Sequence, residues 1–406
     1  MHFCIVTPFF PSKENSGGGV GIHYKDLTDY IAPYCDEVTL LHISDQAIDE
    51  EIQLALPDNV HVVHLQDNFN RIPGNPFSLS TKIRKRLSRL ILNIKVALRI
   101  LVLDRKKRID ILETTNYLYL CLSYTFLPDR KPLITRFSSS TGQLRQYGNW
   151  RSSKIDLIEL LEMWMFKRSY VMLSHTYEHR RLIAEPMNIP RKRIQIIPHG
   201  TSISDHHLVT YEDDPGSKTE LTILFLGRLE SRKGIQTFLD SIPTLLEAHP
   251  NLRFRIAGYD PDNGHELRFQ KEHAQYASQV TFLGEVSHDQ KVQEYQSCDI
   301  FAAPSLYESF GLIYVEAMSF GKPVIGCRAG GTIEVIKDKE VGYLIEPGSV
   351  PELIEAIREL IENHDLRMQM GRAAKERVET YFTATIMAKN SYRALETIRS
   401  DWNYRL

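Results

Sequence analysis

Two carboxylates, Glu308 and Glu316, stand eight residues apart on either side of the turn Ser309-Phe310-Gly311-Leu312. A strand-like run through Ala303 leads into this loop, and the loop leads into a helix that opens near Leu312. Glu308 is thereby expected at the mouth of the loop and Glu316 one turn into the helix. A helix start presents unpaired N–H groups and a positive dipole end, both suited to a phosphate. The backbone of Phe310, Gly311 and Leu312 is accordingly a candidate oxygen-binding edge that needs no side chain. Upstream, Gly227-Arg228 follows a short apolar strand and Lys233-Gly234 sits where the next helix begins. Two cations on one loop can neutralise a diphosphate leaving group as a glycosidic bond breaks. A second negative charge beside a phosphate is tolerable if it accepts hydrogen bonds from a neutral donor such as a ribose diol, which is the reading for Glu316. Glu308 can accept from sugar hydroxyls or face an anomeric carbon. The bland alternatives are a solvated turn for Arg228 and Lys233, and a helix-start charge for Glu316. Cations at one loop and hydroxyl acceptors at the next describe a nucleotide-sugar site.

A third candidate lies near the amino terminus, where Gly17-Gly18-Gly19-Val20-Gly21 follows the first strand and precedes a helix. Successive glycines let a backbone approach a ligand closely and adopt positive φ. The spacing is not the dinucleotide fingerprint G-x-G-x-x-G, and no acid ends the second strand in the required way. An unliganded loop is the competing reading.

The elements that would position these residues alternate regularly. Apolar runs at 3–7, 37–42, 60–65, 109–113, 133–137, 169–174 and 194–198 alternate with helical patterns, the first of which spans 20–34. The rhythm restarts at 222–226, 253–257, 280–283, 300–303, 323–326 and 342–345. Strands alternating with helices imply parallel sheets covered on both faces. At 406 residues the chain exceeds one core. The expectation is an α/β protein of two doubly wound, Rossmann-like domains facing a central cleft. Residues 1–200 form the first, the polar stretch 201–220 a linker, and 221–383 the second. Ligands of such sheets bind outside the carboxyl ends of the strands.

Composition excludes some partners. With 42% hydrophobic and 25% charged residues and a formal net charge of −2, nothing favours bulk nucleic-acid binding. The five cysteines lack C-x-x-C spacing and read as buried free thiols in a reducing compartment. Met1 to Val6 reads as a first buried strand, not a signal peptide. No apolar run reaches the roughly 20 residues of a spanning helix, so a cytoplasmic protein is expected. One segment departs from this neutral background. From Lys82 to Arg108, eleven cations face the single acid Asp104, while Ile83, Leu87, Leu90, Ile91, Ile94, Leu98 and Leu101 recur at helical spacing. Such a helix either packs on the first sheet with a solvated basic face or lies on an anionic surface, making the protein peripheral at the inner membrane face.

At these residues the chain resembles family 4 of the retaining glycosyltransferases, the glycosyl transferases group 1, which have the GT-B architecture. The resemblance rests on the two glutamates, Gly227-Arg228 with Lys233-Gly234, the amino-terminal glycine loop, and Ile197-Pro198-His199-Gly200 closing the first domain. It implies that Arg228 and Lys233 bind the donor diphosphate, Glu316 the ribose and Glu308 the transferred sugar. It further implies that Gly18 and Gly19 approach the phosphate from the first domain, that Gly284-Glu285-Val286 borders the base, and that a helix from about 384 returns to the first domain. The implied reaction moves a hexose from a UDP- or GDP-sugar to a hydroxyl of a glycan, glycolipid or small molecule, with retention and without metal or cofactor. Two positions depart from the family pattern. Ser138 follows the fifth strand where a histidine is usual, and His199 stands where asparagine is common. Ser138 can still hydrogen-bond a sugar hydroxyl, and retention by front-face attack lets the leaving phosphate take the acceptor's proton. A nucleotide-sugar epimerase and a catalytically silent sugar-nucleotide-binding protein are the rival readings.

Overall fold

The computed structural model describes residues 1–12, 18–67, 79–138, 157–203, 205, 220–260 and 263–404. They form two compact units, one holding the chain up to Pro198 together with the segment from Ala384, the other running from His199 to Thr383.

The first unit contains the strands β1 (His2–Thr7), β2 (Glu37–Ser44), β3 (Val60–Gln66), β4 (Ile111–Thr115), β5 (Leu133–Arg136), β6 (Val171–Ser174) and β7 (Ile194–Ile196). They make one parallel sheet in the order β3-β2-β1-β4-β5-β6-β7. Its helices are α1 (Gly18–Ile31), α2 (Glu50–Leu54), α3 (Leu79–Lys107), α4 (Leu157–Arg168) and α5 (Tyr177–Met187). β1 and β4 are buried at every position, as parallel strands covered on both faces must be. The second unit holds β8 (Thr222–Leu226), β9 (Arg253–Ala257), β10 (Val280–Gly284), β11 (Ile300–Ala302), β12 (Val324–Cys327) and β13 (Gly342–Ile345). They form a second parallel sheet in the order β10-β9-β8-β11-β12-β13. Its helices are α6 (Ile235–Ala248), α7 (Gly264–Glu272), α8 (His288–Ser297), α9 (Leu312–Ser319), α10 (Thr332–Val335), α11 (Val350–Glu362) and α12 (His364–Tyr381). Each sheet starts at its centre, builds outwards, then reverses, so the switch points lie between β1 and β4 and between β8 and β11.

The last helix, α13 (Ala384–Asn403), leaves the second unit and packs in the first. Its Met387, Ala388, Leu395 and Ile398 join a core with Tyr24, Leu27 and Ile31 of α1. A buried ion pair sits beneath it. Arg136 donates to both carboxylate oxygens of Glu113 at 2.6 and 3.1 Å, and its Nη2 also donates to Ser391 Oγ of α13 at 3.3 Å. The guanidinium is thus held by one strand and one helix at once, a register device that apolar packing alone does not supply.

Two boundaries differ from the sequence reading. His199 and Gly200 belong to the second unit rather than closing the first. The His199 ring meets Phe310 edge to face at 5.2 Å, and Thr201 bridges to Thr383. The expected linker 201–220 likewise begins inside that unit, because Ile203 is buried in its core; most of the remainder lies outside the described residues. All five cysteines are free and buried.

Candidate functional site

The second unit's switch point brings the two singled-out loops into contact. The loop after β8 makes a 3-10 turn over Ser231–Lys233 and enters α6 through Gly234, at φ +74°. A Cβ on Gly234 would lie 1.9 Å from the Pro304 carbonyl oxygen, so only glycine lets the loop after β11 come this close. Leu306 N–H donates to the Arg232 carbonyl at 2.8 Å, and Arg232 Nη1 donates to the Tyr307 carbonyl at 3.2 Å. The two strand ends are therefore cross-tied by one backbone bond and one guanidinium-to-carbonyl bond.

On this frame Lys233 Nζ donates to Glu308 Oε1 at 2.6 Å, with both side chains largely buried. Burial alone pushes the Glu308 carboxyl up, but Lys233 and Arg232 beside it outweigh that and hold it below the usual carboxylate range. Arg228 is exposed and reaches Glu230 at 3.2 Å, and Arg232 reaches the same carboxylate at 2.8 Å. Three cations thus meet two carboxylates, which leaves a net positive loop at a strand's carboxyl end. Glu308 is also fixed from its far side, where the Gly331 N–H donates to its carbonyl at 2.7 Å.

α9 starts one residue after Gly311, whose φ of +95° makes it the left-handed cap. Phe310 buries its ring between His199 and Phe382, so only its backbone is left for a ligand. Leu312 is half-buried at the helix start. Glu316 departs from the sequence reading. Its charge is already met within the protein: Lys291 Nζ donates to Oε1 at 2.8 Å and Tyr295 hydroxyl to Oε2 at 2.9 Å, and the side chain is 2% exposed. Lys291 and Tyr295 lie four apart on α8 and so share one face. Sequence reasoning missed them, although that spacing was a usable signal. A carboxylate has about four acceptor positions, so these two bonds leave capacity for a diol.

Beside the same strand ends lies a cavity of about 210 Å3, with apolar walls from Leu229, Ile256 and Phe282 and polar edges from Asp260, Glu266 and Glu285. Gly284 and Glu285 are where a base was expected, whereas Val286 is adjacent in sequence but does not line the cavity. Asp260 Oδ2 accepts from the N–H groups of His265 and Glu266 and so shapes the start of α7.

In the first unit, the loops after β1 and β4 meet at the other switch point through Phe9 and Tyr117, whose ring centroids are 4.9 Å apart. Ser138 follows β5, and both its N–H and its hydroxyl donate to Asn116 Oδ1, at 2.7 and 2.8 Å. Its hydroxyl proton is thus spent on Asn116, and what it offers a ligand is acceptor capacity. Gly18 and Gly19 open α1, and a Cβ at either would meet nothing within 4 Å. Residues 13–17 of that loop lie outside the described residues. Among the described residues no cluster of three His, Cys, Asp or Glu side chains suits a metal ion.

Residues 211–377 match the family model described as glycosyl transferases group 1, a span that includes both cross-tied loops and Glu316. That segment belongs to the glycosyl transferases group 1 family. Curated relatives agree. The chain is 33% identical over 182 residues to a phosphatidyl-myo-inositol mannosyltransferase of Mycobacterium leprae, covering 44% of this chain and 47% of that one. It is 27% identical over 247 residues to a D-inositol 3-phosphate glycosyltransferase of Corynebacterium glutamicum, covering 57% and 58%. The match thus spans about half the length of these relatives. Solved structures extend the likeness of fold over both units. A sucrose-phosphate synthase from Thermosynechococcus elongatus superposes with a TM-score of 0.76 at 17% identity, covering 99% of this chain and 100% of that one. The Anabaena protein Alr3699/HepE, solved in complex with UDP and glucose, gives 0.71 at 18% identity, covering 98% and 100%. The chain therefore has the GT-B fold, two Rossmann-like parallel-sheet domains.

Proposed function

We propose that this chain is a retaining, metal-independent glycosyltransferase that moves a hexose from a UDP- or GDP-sugar to an acceptor hydroxyl. The observation that carries the reading is the cross-tied pair of loops at the β8/β11 switch point, where Lys233 and Glu308 are joined and the net charge is positive. The family of residues 211–377 and the transferase names of the curated relatives support it. The C1–O bond to the diphosphate breaks, and Arg228 and Lys233 balance the charge gathering on the leaving group. Glu308, a carboxylate across the working pH range, then accepts from hydroxyls of the sugar. Glu316 accepts from the ribose diol, with Lys291 as its permanent counter-charge. The cavity at Leu229, Ile256 and Phe282 takes the base, and Ser138 accepts from a sugar hydroxyl. The acceptor's proton leaves on the departing phosphate, so no protein base is required. Gly18 and Gly19 leave open backbone for a phosphate, and the protein works in the cytoplasm, peripheral to the inner membrane face.

A thermal-shift panel of UDP- and GDP-sugars tests donor binding. NMR of the product's anomeric proton then tests retention, and activity after chelation tests metal independence. Stabilisation by one nucleotide series with turnover and retained configuration is the expected result. Binding without hydrolysis or transfer identifies a silent binding protein, and no stabilisation by any member rejects the donor site.

A further inference from the structure

α3 is a helix with two apolar faces, and only one of them is used by the fold. Leu92, Val96, Ala97, Ile100 and Leu103 are buried in the first unit's core. On the other side Ile83, Leu87, Leu90, Ile91, Ile94 and Leu98 are between 45% and 56% exposed. At about 100° per residue these six fall on a single stripe along the helix. Singly exposed leucines need no explanation, but a continuous stripe does. Arg84, Lys95, Arg99 and Lys106 are all exposed and, by the same angular count, run along one edge of it. Further exposed aromatic rings stand in the elements beside this helix. α3 packs beside the 3-10 turn Ser123–Phe126, whose exposed Phe126 lies 6.4 Å from the ring of Trp164 on α4. Trp164 is 59% exposed and shares its face with the exposed Leu157 and Leu160, at the spacing of one helical side. Arg168 covers the Phe126 ring at 4.1 Å and donates to the Thr125 carbonyl, which fixes a cation beside this aromatic pair.

We infer that this face, the outer stripe of α3 continued by Phe126 and Trp164, is a docking surface for an anionic lipid bilayer. The charge pattern selects the occupant. A second copy seated stripe to stripe would set rows of cations against each other, whereas an anionic leaflet neutralises them. Aliphatic side chains bordered by Lys and Arg, with a Trp at the margin, match a helix lying in the interfacial plane. Among the described residues no helix is long and apolar enough to cross a membrane, so the contact is peripheral. The inference deepens the proposed peripheral location and uses none of the residues placed in the donor site.

The test is co-sedimentation of the full chain with phosphatidylcholine vesicles, with and without phosphatidylglycerol. Binding is expected only with the anionic lipid and is expected to weaken with added salt. Replacing Arg84, Lys95, Arg99 and Lys106 by Gln removes roughly fivefold in partitioning per cation. Leu87→Gln with Ile94→Gln and Leu98→Gln lowers it at least about tenfold. These positions are exposed, so circular dichroism and the melting temperature of each variant should match wild type. Trp164 emission, isolated by comparison with Trp164→Phe, is expected to shift to the blue on binding. Equal binding to neutral vesicles, no loss in either variant set, or no binding at all overturns the inference. Concentration-dependent self-association abolished by the stripe variants would instead assign the face to a second copy. Donor hydrolysis measured without vesicles should be unchanged in both variant sets, which separates failure here from failure of the catalytic reading.

Discussion

Removing Glu316 separates the buried pairing seen in the structure from the ribose contact proposed for the same carboxylate. Glu316→Ala leaves Lys291, itself mostly buried, without the partner it meets at 2.8 Å, and leaves Tyr295 only the Ile313 carbonyl at 3.4 Å. Breaking a buried pair from one side costs about 3–5 kcal/mol. In a domain running from His199 to Thr383, each kcal/mol lowers the melting temperature by about 2–4 °C. A drop of roughly 6–20 °C is therefore expected, where a charge merely decorating an exposed helix start would move it very little. The double variant Glu316→Leu with Lys291→Met removes both charges and should recover most of that loss, since apolar replacement of a buried pair is often neutral. What it should not recover is donor binding. A nucleotide sugar at 100 times its dissociation constant stabilises wild type by about 2.7 kcal/mol, and the double variant lacks the carboxylate proposed to accept from the ribose diol. Differential scanning fluorimetry with and without UDP- and GDP-sugars reads both quantities. A Glu316→Ala protein that melts like wild type would refute the structural role. A stable double variant with an undiminished ligand shift would refute the ribose contact.

Arg228→Ala and Lys233→Ala should each lower turnover by roughly a hundredfold. Only Lys233→Ala should also lose about 3 kcal/mol of stability, because Arg228 is exposed whereas Lys233 neutralises the buried Glu308; identical melting curves would contradict the pairing. The folded Glu308 carboxyl titrates below its unfolded counterpart. Its contribution is therefore present at neutral pH and is lost as pH falls through the ordinary carboxylate range, near pH 4. The stability gap between wild type and Glu308→Gln should accordingly narrow in urea titrations below about pH 5, and a constant gap would remove the electrostatic account. Ser138→Ala is expected to slow transfer about five- to twentyfold, the loss of one hydrogen bond, and Ser138→His to be tolerated; wild-type kinetics for Ser138→Ala beside an inactive Asn116→Ala would move the contact to Asn116. Gly234→Ala should cost more than about 2 kcal/mol, since both its φ and the approach of Pro304 forbid a side chain, and an unchanged melting temperature would show that the loops separate without penalty.

The sequence by itself determined the class of fold and the loops that carry chemistry. Strands buried on both faces are written as continuous apolar runs, and that pattern survives whatever surrounds it. All thirteen runs read as strands are strands among the described residues, and α9 opens at Leu312, one residue after Gly311. The resemblance carried by Glu308, Glu316, Arg228 and Lys233 named the family whose model matches residues 211–377. What a linear pattern does not record is which charges meet. Lys233 with Glu308 and Lys291 with Glu316 are separated by 75 and 25 residues, and only the return of the second sheet through its centre brings them together. The same holds for Ser138 with Asn116, and for His199, which the sequence assigns to one domain and the ring of Phe310 claims for the other. The two faces of α3 were legible as apolar residues but not as different surfaces. Helical periodicity says which residues lie side by side, whereas which side the core covers is decided by the turn and helix that pack beside it.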